Sequence, residues 1–139
     1  MSQDPPSVLF VCVKNAGKSQ MAAALLRSLV GDRIEVHSAG THPGTEVNAL
    51  SNRVLAEWDI DISGETPRAV DPRLLSRVDH VITLGREAHI DPAHRAGVEN
   101  WDTDEPSTRG IEGLERMRLV RDDIAARVQA FVDSHHPQV

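Results

Sequence analysis

Short apolar runs alternate along this chain with longer segments in which apolar residues recur every three or four positions. Four runs predict strands, at residues 8–13, 34–39, 81–84 and 98–101. Helical spacing follows the first run and stops at Gly31, and it recurs at Val47, Leu50, Val54 and Trp58. A short helix is expected at 71–77, with Pro72 in its first turn, and a long closing helix at 114–131.

Strands that alternate with helices predict an α/β fold: a four-stranded parallel sheet with helices on both faces. The chain has no repeat, linker or low-complexity segment, so we expect residues 1–139 to form a single domain. Ligands of such sheets bind beyond the carboxyl ends of the strands, and Cys12 lies at the end of the first predicted strand. The pattern therefore predicts a site at this point.

Charge and composition exclude several classes of protein. The net charge of −6 argues against nucleic acid or an anionic membrane as the main partner. A single cysteine excludes disulfides within the chain and fits a reducing compartment. The first residues carry neither a basic region nor a long apolar stretch, so we expect a cytoplasmic protein without a signal peptide.

The octapeptide CVKNAGKS, residues 12–19, fits two kinds of anion-binding loop. Its last three residues end like a nucleotide-binding loop, but Cys12 stands where that motif needs its first glycine. The strand at 81–84 also lacks the magnesium-binding aspartate that nucleotide enzymes place at a strand end. The second reading, a loop built around a thiolate, is favoured.

In this reading Cys12 is a nucleophile, stabilised as the thiolate by backbone N–H groups, by the positive end of the next helix and by Lys18. Both lysines of the chain, Lys14 and Lys18, lie in this loop, against a composition that otherwise uses arginine. The same N–H groups and lysine form a positive cradle that would bind a tetrahedral oxyanion. The residues expected to bind it are Val13, Lys14, Asn15, Ala16, Gly17, Lys18 and Ser19.

The stretch VLFVCVKNAGKSQMA resembles the signature of the low-molecular-weight phosphotyrosine phosphatase fold, and within that fold the arsenate reductases. The similarity extends to residues 38–41, to Thr83-Leu84 and to the acid loop WDTDEP, residues 101–106. The resemblance implies that Cys12 attacks the oxyanion while a carboxylate of the acid loop protonates the departing oxygen. It also implies that Asn15 holds the loop conformation and that Ser19 stabilises the thiolate.

Three positions depart from the family pattern. Lys18 replaces the usual arginine, so a point charge replaces a planar fork. The acid is usually an aspartate directly before proline; here Asp104 and Glu105 both precede Pro106, and the choice between them stays open. Gly85 stands where the thioredoxin-coupled relatives carry a resolving cysteine.

The resemblance therefore implies an enzyme, an arsenate reductase that passes arsenic from Cys12 to an external thiol. The arginine-rich composition is typical of GC-rich, actinobacterium-like genomes, in which mycothiol fills this role and the glutaredoxin-like mycoredoxin completes the reduction. Glutathione is another candidate thiol. The alternative functions are a phosphatase acting on phosphotyrosine, phosphoarginine or a small phosphoester, and a non-catalytic oxyanion or redox sensor.

No bound cofactor or metal is expected, and we expect a monomer. The histidines lack the spacing of a metal site: His89 and His94 are separated by a proline, and His135-His136 is expected in a mobile tail. His42 follows the second strand and is interpreted as a loop residue.

Overall fold

The sheet has four parallel strands. The computed structural model describes residues 5–90 and 98–137. Strand β1 is Ser7–Cys12, β2 is Glu35–Gly40, β3 is His80–Leu84 and β4 is Val98–Trp101. They are arranged in the order β2-β1-β3-β4, and every neighbouring pair is parallel. The predicted parallel α/β sheet is confirmed.

The central position of β1 explains its composition. Every residue of the strand is buried, and Val8, Leu9, Phe10 and Val11 are fully inaccessible, because the strand has a neighbour on each edge and packed layers on both faces. The chain leaves β1 toward β2 on one side and later returns to β3 on the other. The carboxyl end of β1 is thus the point where the winding reverses, which is where open α/β sheets form their clefts.

Four helices connect and cover the strands. Helix α1 is Lys18–Val30, α2 is Ala49–Ala56, α3 is Pro72–Arg77 and α4 is Gly113–His135. Helix α1 ends at Gly31, whose φ of 63° lies in the left-handed region that glycine tolerates best. Helix α3 begins after Asp71, whose carboxylate accepts a hydrogen bond from the N–H of Arg73.

The hydrophobic residues form two clusters because β-strand side chains alternate between the faces of the sheet. Val8, Phe10 and Ile82 belong to the larger cluster, with residues of α1, α2 and α4. Leu9 and Val81 belong to the smaller one, with Leu75 of α3 and its neighbours. Helices therefore cover both faces, as predicted.

Helix α2 is shorter than its apolar spacing suggests. The predicted helix included Val47 and Trp58, but α2 begins only after Asn48, whose side chain caps it by accepting from the N–H of Ser51 at 2.9 Å. At the other end the backbone turns at Asp59, with φ at 60°. Trp58 is 42% exposed, and the guanidinium of Arg121 lies 3.9 Å from its ring centroid.

The expectation of a mobile tail at His135-His136 was wrong. His135 is the last residue of α4, and the N–H of His136 donates to the carbonyl of Val132 at 2.8 Å. The imidazoles of His80 and His136 approach to 3.1 Å between their Nε2 atoms, and His80 packs edge-on against Phe131. Aromatic packing therefore fixes the end of the helix beside the start of β3.

Over residues 5–90 and 98–137, no helix is both long and apolar enough to span a bilayer. Within the same residues, no group of three or more histidine, cysteine, aspartate or glutamate side chains is arranged to hold a metal ion. His94 lies outside the described residues.

The histidine contact predicts a loss of stability in acid. Burial and the neighbouring histidines lower the pKa of His80 and of His136, although Asp79 and, for His80, Glu99 act in the opposite direction. The unfolded chain, with a histidine pKa of about 6.5, then binds protons more readily than the folded chain. The free energy of unfolding should therefore fall as the pH drops from about 6.5 through the lower folded-state pKa values.

Replacing His136 with Gln should reduce this acid loss, as measured by urea unfolding at a series of pH values. His42→Gln is the matched control, since it removes a histidine outside the contact. If the two variants show the same pH dependence as the unmodified protein, the His80–His136 contact does not control acid stability.

Candidate active site

The loop between β1 and α1 is held from outside through its carbonyl groups. The N–H groups of Thr41, His42 and Gly44 donate to the carbonyls of Cys12, Val13 and Lys14 at 2.7–3.1 Å. The N–H of Asn48 donates to the carbonyl of Ala16 at 2.8 Å. In a trans peptide the N–H points opposite to the preceding carbonyl, so the N–H groups of residues 13, 14, 15 and 17 point inward. Residues 41–48, the outer segment, thus hold residues 12–19 in the shape of an anion cradle.

Gly40 allows the outer segment to lie this close. A β-carbon at Gly40 would stand 2.7 Å from the carbonyl oxygen of Val13 and 2.9 Å from the nitrogen of Asn15. Both are backbone atoms of the loop and have no free space to move into. Any larger residue would push the end of β2 away from the cradle.

Asn15 reverses the direction of the loop. Its φ is 52°, a left-handed conformation that asparagine adopts more readily than most residues. The side chain is fully buried: Nδ2 donates to Ser19 Oγ at 2.7 Å, and Oδ1 accepts from the N–H of Arg68 at 3.0 Å. Gln20 Nε2 adds hydrogen bonds to Oδ1 and to the carbonyl of Asn15 at 3.2 and 3.1 Å.

Cys12 is at the centre of this network. Its Sγ accepts a hydrogen bond from the N–H of Asn15 at 3.2 Å and lies 3.0 Å from Ser19 Oγ. The amide of Asn15 donates to Ser19 Oγ, which leaves the hydroxyl proton free to point at the sulfur. Helix α1 begins six residues later, at Lys18, and adds the positive end of its dipole. Two hydrogen-bond donors and a helix N-terminus therefore surround the sulfur.

The acid loop reaches the cradle through Glu105. Its carboxylate pairs with the ammonium of Lys18, and Arg116 lies 3.9 Å from its other oxygen. Glu105 is 41% exposed in its side chain, whereas Lys18 is 19% exposed. Glu105 therefore stands at the mouth of the cradle, next to the cation expected to bind the oxyanion.

Asp104 is bound by an arginine of the same loop region. Arg109 donates to its two oxygens at 2.8 and 3.1 Å. These hydrogen bonds are the main cause that holds the pKa of Asp104 below its ordinary value. Its backbone N–H donates to the carboxylate of Asp123 at 2.9 Å. Asp104 thus serves to anchor the acid loop and is poorly suited to carry a proton.

Gly85 follows β3 and borders the same space. Its φ is 88°, and a β-carbon there would lie 3.7 Å from Lys18 Nζ. Gly85, which has no side chain, therefore lies directly beside Lys18.

The structure brings most of the predicted site residues together. Cys12, Asn15 and Ser19 form one hydrogen-bonded group, Lys18 and Glu105 form a second that is joined to it through the 18–19 peptide bond, and Asp104 pairs with Arg109. Val13, Ala16 and Gly17 contribute backbone groups. The side chain of Lys14 is exposed, so of the two loop lysines only Lys18 lies by the mouth.

Several residues that position the site were missed in the sequence. Gln20 follows Ser19 in the sequence SQMA and is buried. The available signal was a polar residue next to the apolar residues of a predicted helix. Arg68 binds Asn15 through its backbone N–H, which any residue could supply. Arg109 pairs with Asp104, five residues earlier, and no sequence pattern indicated this contact. The two hydrogen-bonded groups and the loop contacts around them contain no histidine side chain.

Comparison with known proteins places these features in a family. Residues 7–138 match the family described as low molecular weight phosphotyrosine protein phosphatase. A putative arsenate reductase of Halobacterium salinarum is 37% identical over 133 residues, which cover 92% of each chain.

Two solved structures are also similar. A thioredoxin-dependent arsenate reductase of Corynebacterium glutamicum is 30% identical with a TM-score of 0.76; the match covers 96% of this chain and 63% of that one. An arsenate reductase in its phosphate-binding state is 29% identical with a TM-score of 0.80, covering 93% of this chain and 98% of that one.

The Ser19 contact predicts the reactivity of Cys12. Replacing Ser19 with Ala removes one of two hydrogen-bond donors to the sulfur, and a hydrogen bond to a charged group contributes about 1.5 kcal/mol or more. Alkylation of Cys12 by iodoacetamide at neutral pH should slow about tenfold. Ser28→Ala, an exposed serine of the same helix, is the control and should alkylate at the normal rate. Equal rates in both variants would show that the Ser19 hydroxyl does not stabilise the thiolate.

Proposed function

The chain belongs to the low-molecular-weight phosphotyrosine protein phosphatase family, and we propose that it acts as an arsenate reductase with a single catalytic cysteine. The observation that carries this proposal is the sulfur of Cys12, held between the N–H of Asn15 and the hydroxyl of Ser19 at the base of an anion cradle. The names of the relatives support the choice of arsenate within the family.

In the first step the Cys12 thiolate attacks arsenic, and a sulfur–arsenic bond replaces an arsenic–oxygen bond. The inward N–H groups and Lys18 bind the remaining oxygens and stabilise the negative charge in the transition state. The departing oxygen takes a proton and leaves as water.

Glu105 is our candidate for the acid that supplies this proton. In the free protein its carboxylate is paired with Lys18, so an arriving oxyanion competes with it for the ammonium. Once Lys18 turns to the oxyanion, the released carboxylate of Glu105 takes a proton from the incoming hydrogen arsenate and returns it to the oxygen that departs. Asp104 remains bound to Arg109 and holds the loop in place.

The chain has one cysteine, so a disulfide within it cannot resolve the adduct. We infer that an external small thiol does so and that mycothiol is this co-substrate. Its thiolate displaces Cys12 from arsenic, which restores the enzyme and leaves pentavalent arsenic bound to mycothiol. A thiol of mycoredoxin then attacks the mycothiol sulfur; a mixed disulfide forms, and arsenic leaves with the electron pair as arsenite.

A phosphatase activity is the second candidate, supported by the family itself. The same cradle fits phosphate, but Lys18 offers one point charge where a planar guanidinium would contact two equatorial oxygens. Phosphoryl transfer should be weakened more by this difference than oxyanion capture. We therefore expect arsenate to be the better substrate.

The geometry of the acid loop predicts different roles for its two carboxylates. Glu105→Gln should lower the rate of the first chemical step by ~10²–10⁴, the usual contribution of a general acid. Asp104→Asn is the matched control and should affect stability more than this rate. The measurement is the rate of single-turnover formation of the Cys12 adduct. A slow Asp104 variant with a normal Glu105 variant would reverse the assignment.

The single cysteine predicts the dependence on the reductant. Arsenite release should require mycothiol together with mycoredoxin and should be negligible with thioredoxin and its reductase alone. Cys12→Ser should abolish release, because an alcohol is not ionised at neutral pH. Efficient multiple turnover with thioredoxin alone would contradict the proposed coupling. Faster turnover of an aryl phosphate than of arsenate would instead favour the phosphatase.

A further inference from the structure

A cleft of about 500 Å³ opens beside the cradle, between the carboxyl ends of β3 and β4. Gly85, Arg86 and Glu87 line one side of it. The acid loop and the turn after it line the other side, with Asp102, Thr103, Asp104, Glu105, Thr108 and Arg109. Two lining residues reach the catalytic lysine: Glu105 pairs with Lys18, and Gly85 lies beside Lys18 Nζ.

Hydrogen bonds connect the residues that line the cleft. The N–H of Gly85 donates to the carbonyl of Trp101, and the carbonyl of Gly85 accepts from Asn100 Nδ2 at 2.7 Å. Arg86 donates to both oxygens of Asp102 at 3.0 and 2.9 Å. Arg109 donates to both oxygens of Asp104 on the opposite side.

The charge of the lining selects among small thiols. Three of the four carboxylates in the lining are paired, with Arg86, Arg109 and Lys18, so Glu87 supplies the excess negative charge. A thiol that carries carboxylates, such as glutathione, would be repelled by the negative charge of the cleft. The hydroxyl groups of a neutral thiol can instead donate to carboxylates and accept from arginine. The lining thus fits a polar molecule without net negative charge.

We propose that this cleft binds the thiol co-substrate, a neutral, hydroxyl-rich thiol, with its sulfur directed past Gly85 toward the cradle. The proposal rests on the proposed function for the role of the thiol, but the cleft itself is tested by binding alone. A β-carbon at Gly85 would lie 3.4 Å from Glu87 Oε2 and 3.7 Å from Lys18 Nζ, so the glycine keeps the approach to this lysine wider than any other residue would.

The test uses the full chain and S-methyl-mycothiol, which cannot react, with binding followed by NMR titration. Thr108→Phe should fill the cleft and weaken binding at least about tenfold. Thr108→Ala is the control, because it also removes the hydroxyl that donates to the carbonyl of Glu105 at 2.8 Å but adds no volume. Equal affinities of the two variants would overturn the proposal.

A charge reversal at Glu87 tests whether the cleft selects against negatively charged thiols. Glu87→Arg should improve the affinity for S-methyl-glutathione about tenfold, the contribution of one charge-assisted hydrogen bond. Asp133→Arg makes the same change of charge on the exposed end of α4 and should leave this affinity unchanged. If both variants change it equally, or neither does, the charge argument fails.

Steady-state kinetics separates this proposal from the function on which it rests. If the protein reduces arsenate with mycothiol but Thr108→Phe leaves the KM for mycothiol unchanged, the function stands and the cleft is wrong. If the unmodified protein binds S-methyl-mycothiol, and Thr108→Phe alone loses that binding, the cleft stands even if arsenate is not reduced.

Discussion

The left-handed turn at Asn15 is the constraint on which the site depends. A φ of 52° reverses the loop so that the N–H of Asn15 points back at the sulfur of Cys12. The buried amide side chain maintains the turn, because it binds Ser19 inside the loop and the backbone of Arg68 outside it. One residue thereby fixes the position of the nucleophile, the orientation of the serine hydroxyl and the contact with the rest of the chain.

The outer segment makes this arrangement stable. Residues 41–48 satisfy the loop carbonyls, so the inward N–H groups remain available for an anion. Asn48 connects this segment to the fold, since its N–H binds the loop while its side chain caps α2. Gly40 permits the close approach that all these contacts need. The cradle is therefore built by two neighbouring connections of the sheet together.

In the proposed mechanism, the charges at the mouth of the cradle link capture of the oxyanion to protonation of its departing oxygen. The chain carries a net charge of −6, yet Cys12, the proposed nucleophile, precedes a helix whose first residue is the cation Lys18. Glu105 neutralises Lys18 while the cradle is empty, and an oxyanion would replace it. The cation that attracts the substrate thus also controls the position of the candidate acid.

The sequence by itself determined the strands, the parallel sheet and the position of Cys12, because buried strands, helix stops and a loop at a strand end are local patterns. Apolar spacing mispredicted the ends of α2, which the Asn48 cap and the turn at Asp59 set. It also mispredicted the order at His135 and His136, which depends on contact with the distant His80. Asp104 and Glu105 are adjacent carboxylates that no local pattern distinguishes. Only the tertiary structure separated them, since Arg109 occupies the first and Lys18, 87 residues away in sequence, pairs with the second.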